Sequence, residues 1–116
     1  MRNELFNQML SAYDLTTEQQ KLNATFEVNQ QIILAGLYNG GFFNEAAFYG
    51  DTCLRIFHGL QRFSEDMDFS LLAPNDKFDF TDFFQPIINQ FALVGRNVEI
   101  KIKRTFMILP FRRRSQ

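Results

Sequence analysis

Cysteine occurs once in the 116 residues, at Cys53, so an internal disulfide is impossible and a reducing compartment is the expected setting. No apolar run is long enough to cross a bilayer, and the opening MRNELFNQML is too polar to serve as a secretory signal. Charge of neither sign dominates: 12 Lys and Arg against 13 Asp and Glu leave a formal charge of -1. That balance neither points to nucleic acid nor excludes it, because local patches matter more than totals. Internal repeats and low-complexity tracts are also missing. The chain is long enough for one domain with a modest core, so residues 1–116 are read as a single cytoplasmic domain with no membrane association.

Phenylalanine is the excess, with 15 in the chain. Large rings build a core from few residues, but exposed ones invite a partner surface. Phe42, Phe43, Phe78, Phe80, Phe106 and Phe111 fall near expected ends and turns and are the candidates for such a surface, with core filling as the reading for at least half of them.

Local patterns predict mixed structure. Residues 3–13 suit a short helix. Thr16 or Thr17 can cap a second helix over about 17–38, with Gln19 or Gln20 three residues on, and Gly40 and Gly41 stop it. AAFYG at 46–50 is either a buried strand or a helix end, and DTCLRIFHG at 51–59 reads as a short helix. FSEDMDFS alternates as a strand, placing Phe63, Glu65, Met67 and Phe69 on one face and Ser64, Asp66, Asp68 and Ser70 on the other. A helix capped by Asp79 or Thr81 follows, with Pro86 tolerated in its first turns and Gly95 at its end. NVEIKIK at 97–103 alternates as a half-buried strand, and TFMILPF reads as a further strand or extended edge. The order predicts an α+β fold, a small mixed sheet packed by helices.

Asp66 and Asp68 carry the chemistry. On a strand they share a face, with Cβ atoms roughly 6.5–7 Å apart. Two hard oxygen donors at that spacing can converge on Mg²⁺, which keeps waters and holds substrate phosphates. A solvated pair at a strand end is the plainer reading. Gly50 precedes the short helix at Asp51 and Thr52, and a helix start offers free N–H groups to a phosphate. A tight turn at Gly50 with Asp51 as the cap is the alternative. Cys53 is placed on the apolar face of that helix as filler, and His58 at its end in a structural or capping role.

The run FYGDTCLRIFHGLQRFSEDMDFSLL, residues 48–72, resembles the signature of the AbiEii/AbiGii-like toxin family of nucleotidyltransferases. The agreement runs through Gly50, Thr52, Leu54, Arg55, Gly59, Arg62, Phe63, Ser64, Glu65, Asp66, Asp68 and Phe69. The family's second glycine is Asp51 here. The resemblance implies a polymerase-β-like nucleotidyltransferase core, of which this chain is expected to represent a truncated, N-terminal part. It implies that Gly50, Asp51, Thr52 and Ser64 contact a nucleoside triphosphate, and that Asp66 and Asp68 bind Mg²⁺ and do the catalytic work. Arg62 and Glu65 would form a buttressing pair, and Ser64 a local hydrogen bond. The family usually draws a third carboxylate from a later strand. Glu99 is the acid available there, although Lys101 and Lys103 beside it read as an exposed edge.

The implied activity is Mg²⁺-dependent transfer of a nucleotide to an acceptor such as tRNA, beside an antitoxin protein. A noncatalytic interaction module that retains the fold is the alternative. Nucleic-acid binding through Arg112, Arg113 and Arg114 is a third reading, set against an ordinary solvated tail. Two copies are expected to be able to pair exposed strand edges into a homo-oligomer.

Overall fold

Thr17 sets the frame of the fold. Its hydroxyl accepts from the Gln20 amide at 3.0 Å, and the Gln20 side chain accepts from the Thr17 amide at 2.9 Å. This reciprocal box starts the long helix at Glu18 and satisfies two backbone donors that would otherwise lack partners. The computed structural model describes residues 2–60 and 63–100. Within them the order is α1 (Arg2–Leu10), α2 (Glu18–Asn39), a 3-10 turn (Phe42–Asn44), β1 (Ala46–Tyr49), α3 (Gly50–His58), β2 (Asp68–Leu71), a second 3-10 turn (Phe80–Phe83) and α4 (Phe84–Leu93). The α+β expectation holds. Among the described residues the sheet is a two-stranded antiparallel ribbon, β1 against β2, rather than a mixed one.

Helix α2 is the spine. Ala24, Val28, Ile32, Leu34 and Leu37 are buried along it. Helix α4 lies against its C-terminal half, burying Ile87 and Phe91 at i, i+4 spacing. The close approach depends on a glycine notch. A Cβ at Gly36 would stand 2.8 Å from Ile87 Cα and 2.9 Å from the Pro86 carbonyl oxygen, and one at Gly40 would meet Pro86 Cγ at 2.8 Å. Pro86 therefore seats where α2 has no side chains.

Part of the phenylalanine excess forms a ring cluster around Phe42. Phe42 is fully buried and touches five rings edge-on, those of Phe43, Phe69, Phe78, Phe80 and Phe83, with centroids 5.1–6.0 Å away. Edge-to-face pairs use the ring quadrupole and contribute roughly 0.5–1.5 kcal/mol each beyond burial. The core-filling reading for at least half of the six candidates holds: Phe42, Phe43, Phe78 and Phe80 are core or core-packed residues. Phe106 and Phe111 lie outside the described residues.

Two strand expectations also change. The alternating pattern from Phe63 predicts a ladder over 63–70, but pairing begins only at Asp68. Among the described residues Asn97–Ile100 join no ladder, although Val98 and Ile100 pack on the core as an alternating pattern requires. Lys101 and Lys103 lie outside the described residues. No helix among the described residues is long and apolar enough to cross a membrane.

Candidate functional site

The site forms where β1 turns directly into α3. Tyr49 is extended, and Gly50 opens the helix at φ +89°, a left-handed angle that L side chains rarely adopt. The ribbon register places Tyr49 opposite Asp68. Asp68 consequently arrives beside the first turn of α3, and its Oδ2 would be only 2.6 Å from a Cβ on Gly50. The glycine leaves the space that the carboxylate fills. Here the sequence-predicted neighbours Gly50 and Asp68 are brought together by the strand pairing itself.

Asp66 is tied in by its backbone. Thr52 is 1% exposed, and its hydroxyl donates to the Asp66 carbonyl. The Thr52 and Ser64 hydroxyl oxygens are 2.7 Å apart. Thr52 has one hydroxyl proton, and the carbonyl takes it, so Ser64 supplies the proton of the second bond. The side chains of Asp51 and Asp66 are on exposed residues, while Gly50, Ser64 and Asp68 are half-buried.

Two residues of α2 complete the arrangement, and neither stands out in the sequence. Gln30 is 4% exposed, and its amide nitrogen donates to the carbonyls of Ser64 at 3.0 Å and Glu65 at 2.9 Å. Glu27, also buried, receives Arg55 Nε at 2.9 Å and 3.2 Å on its two oxygens, and Arg55 Nη1 donates to the Leu60 carbonyl at 3.2 Å. The Glu27 hydrogen bond pushes the Arg55 guanidinium further up from its already high pKa. This clasp fixes α3 to α2. The only available signal was that Arg55 of the motif needs an acid partner, together with the position of Glu27 and Gln30 at i, i+3 on the spine helix.

The expected Arg62–Glu65 buttress cannot be placed, since Arg62 lies outside the described residues; Glu65 itself is exposed. Glu99 does not join the aspartates: among the described residues no group of three or more His, Cys, Asp or Glu side chains is placed to hold a metal.

Phe48 and Tyr49 point to opposite faces of the ribbon. On the Phe48 side lies a groove of about 810 Å³ lined by Leu34, Tyr38, Phe43, Phe48, Cys53 and Phe57 among others, with no charged residue among the described residues of its lining. Burial raises the Cys53 thiol pKa above its ordinary value, which disfavours a reactive thiolate in that groove. Asp68, paired with Tyr49, is on the opposite face of the ribbon from Phe48.

The family model for the nucleotidyl transferase AbiEii toxin, type IV toxin-antitoxin system, matches residues 32–114. The chain belongs to this nucleotidyltransferase toxin family. No curated protein and no solved structure matches it. The AbiEii match spans both α3 and the Ser64–Asp68 segment, so the residues that meet at the start of α3 lie within the family region.

Proposed function

We propose that this AbiEii-family chain uses Gly50, Asp51, Thr52 and Ser64 to seat a nucleoside triphosphate and Asp66 and Asp68 to hold Mg²⁺ for nucleotidyl transfer. The observation that supports this most is the Asp68 carboxylate packed against the glycine that opens α3. A helix start directs free N–H groups and partial positive charge at an anion, and a neighbouring carboxylate makes sense there when a cation lies between the two negative groups. The residues present fit Mg²⁺: their donors are hard oxygens, and few enough that substrate phosphates and water complete the set. When bound, the ion neutralises charge on the phosphates.

The chain's own contribution is placement. The backbone amides at Gly50–Thr52 bind and orient the phosphates. Thr52 is itself committed to the segment bearing the acids, so phosphate seat and metal ligands are fixed relative to each other. In the reaction the acceptor hydroxyl oxygen bonds to the α-phosphorus, the bond to the bridging oxygen breaks, pyrophosphate leaves and the hydroxyl proton passes to solvent. Positioning and electrostatics suffice for such a transfer without a covalent intermediate. The acceptor in this reading is a tRNA, and an antitoxin protein restrains the activity.

The test is transfer of label from each of the four nucleoside triphosphates to bulk tRNA, with Mg²⁺ present. Labelled tRNA is expected from the unmodified chain and not from Asp66→Asn or Asp68→Asn. A folded chain that labels nothing with any of the four nucleotides would favour the alternative, a noncatalytic module retaining the family fold.

A further inference from the structure

We propose that Gln30 is a positioning residue for the metal-binding carboxylates, an inference that rests on the site assigned above. Three consecutive carbonyls, those of Ser64, Glu65 and Asp66, are each held by a side chain from a helix: the first two by Gln30 from α2, the third by Thr52 from α3. One amide nitrogen has two protons, and both are used on adjacent carbonyls. The segment leading into β2 is thereby laid along α2 instead of joining a strand ladder, and its course fixes where Asp66 begins and where Asp68 meets Gly50.

The other end of the Gln30 amide shows what the residue is built for. Gln30 Oε1 is buried and has no hydrogen-bond partner among the described residues. An unsatisfied buried acceptor costs free energy, so a glutamine selected for stability alone is a poor occupant of this position. The two donors account for it: an apolar residue of the same size would fill the space but leave the Ser64 and Glu65 carbonyls unheld. Ligating side chains must be held to within about half an ångström for full affinity. Removing the outer residues that hold ligands in place typically costs 10–100-fold in metal affinity.

The experiment measures binding of Mn²⁺, as a probe for Mg²⁺, to the full chain by electron paramagnetic resonance, with thermal unfolding in chelator recorded alongside. Gln30→Met keeps length and burial and removes both donors. Gln30→Glu keeps size and polarity and turns the donors into acceptors. Ile32→Val perturbs a buried apolar position of the same helix and removes none of the side-chain hydrogen bonds to the Ser64–Asp66 carbonyls. Both Gln30 variants are expected to bind Mn²⁺ roughly 10-fold or more weakly, with Ile32→Val within about 2-fold of the unmodified chain. Gln30 variants that lose thermal stability yet bind Mn²⁺ as tightly as the unmodified chain would reduce Gln30 to a packing residue and overturn the proposal, leaving the site intact. If the unmodified chain binds no Mn²⁺, or Asp68→Asn binds it equally well, the site assignment fails first and the positioning role fails with it.

Discussion

Replacing Gly50 with alanine perturbs the backbone and the carboxylate at once, and the two effects can be separated. The first cost is conformational. Gly50 has φ +89°, and an L residue in the left-handed region costs roughly 1–2 kcal/mol. The second is steric: the new methyl would lie 2.6 Å from Asp68 Oδ2, well inside contact distance, so the carboxylate must swing away. Gly59 supplies the control, because it also has positive φ, +75°, yet a Cβ there meets nothing within 4 Å among the described residues. Gly59→Ala is expected to lose about 1–2 kcal/mol from the backbone alone. For a domain of this size that is a fall in Tm of at least about 4 °C. Gly50→Ala is expected to lose at least as much, and in addition to weaken Mn²⁺ binding, which Gly59→Ala leaves unchanged. Thermal unfolding and Mn²⁺ titration on both variants decide the matter. Equal Mn²⁺ affinity in the two variants would refute the reasoning, since it would mean that the position of the Asp68 carboxylate against Gly50 has no bearing on the metal.

Three further outcomes follow from the packing. Gly36→Ala should lower the urea midpoint by the equivalent of about 1–3 kcal/mol with an unchanged m-value, because its Cβ would meet backbone atoms of Pro86 and Ile87 on α4 that cannot rotate aside. Arg55→Met should cost about 3–5 kcal/mol by leaving the buried Glu27 carboxylate uncompensated, whereas adding Glu27→Gln to it should restore a large part of the loss; equilibrium unfolding of the single and double variants measures this. Asp79 has its carboxyl held below the usual range by hydrogen bonds from the Thr81 hydroxyl and amide. A depressed folded pKa contributes stability that is present above the ordinary carboxylate pKa and lost as pH falls through the lowered value. Asp79→Ala should therefore flatten that acid limb of the stability profile, and an unchanged limb would contradict the assignment.

The helices were legible because their signals are local. Thr17 with Gln20, the apolar stripe of α2, the glycine pair after it and Asp79 before α4 all lie within a few residues of the structure they determine. The strand at 63–70 misled for a physical reason. Its alternation is real, with Phe69 buried and Met67 core-packed, but the carbonyls of 64–66 are taken by Gln30 and Thr52 side chains instead of a neighbouring strand. A polar residue on a helix reads as surface, so nothing nearby announces that Gln30 is buried against a segment 34 residues away. The ring cluster was hidden in the same way: Phe42 sits beside a glycine turn, where exposure is the ordinary expectation, and only the return of 69–83 closes rings around it. Of the site, the identities of Gly50 and Asp68 could be read in advance. Their contact follows from the Tyr49–Asp68 register, which no short-range pattern specifies.

The most direct measurement is a crystal structure of the chain soaked with Mn²⁺ and a nonhydrolysable nucleoside triphosphate, with the metal located by anomalous scattering. An anomalous peak is expected within coordination distance of Asp66 and Asp68, with phosphate density over the amides of Gly50–Thr52. A peak elsewhere, or triphosphate seated in the apolar groove on the Phe48 side of β1, would contradict the proposed site.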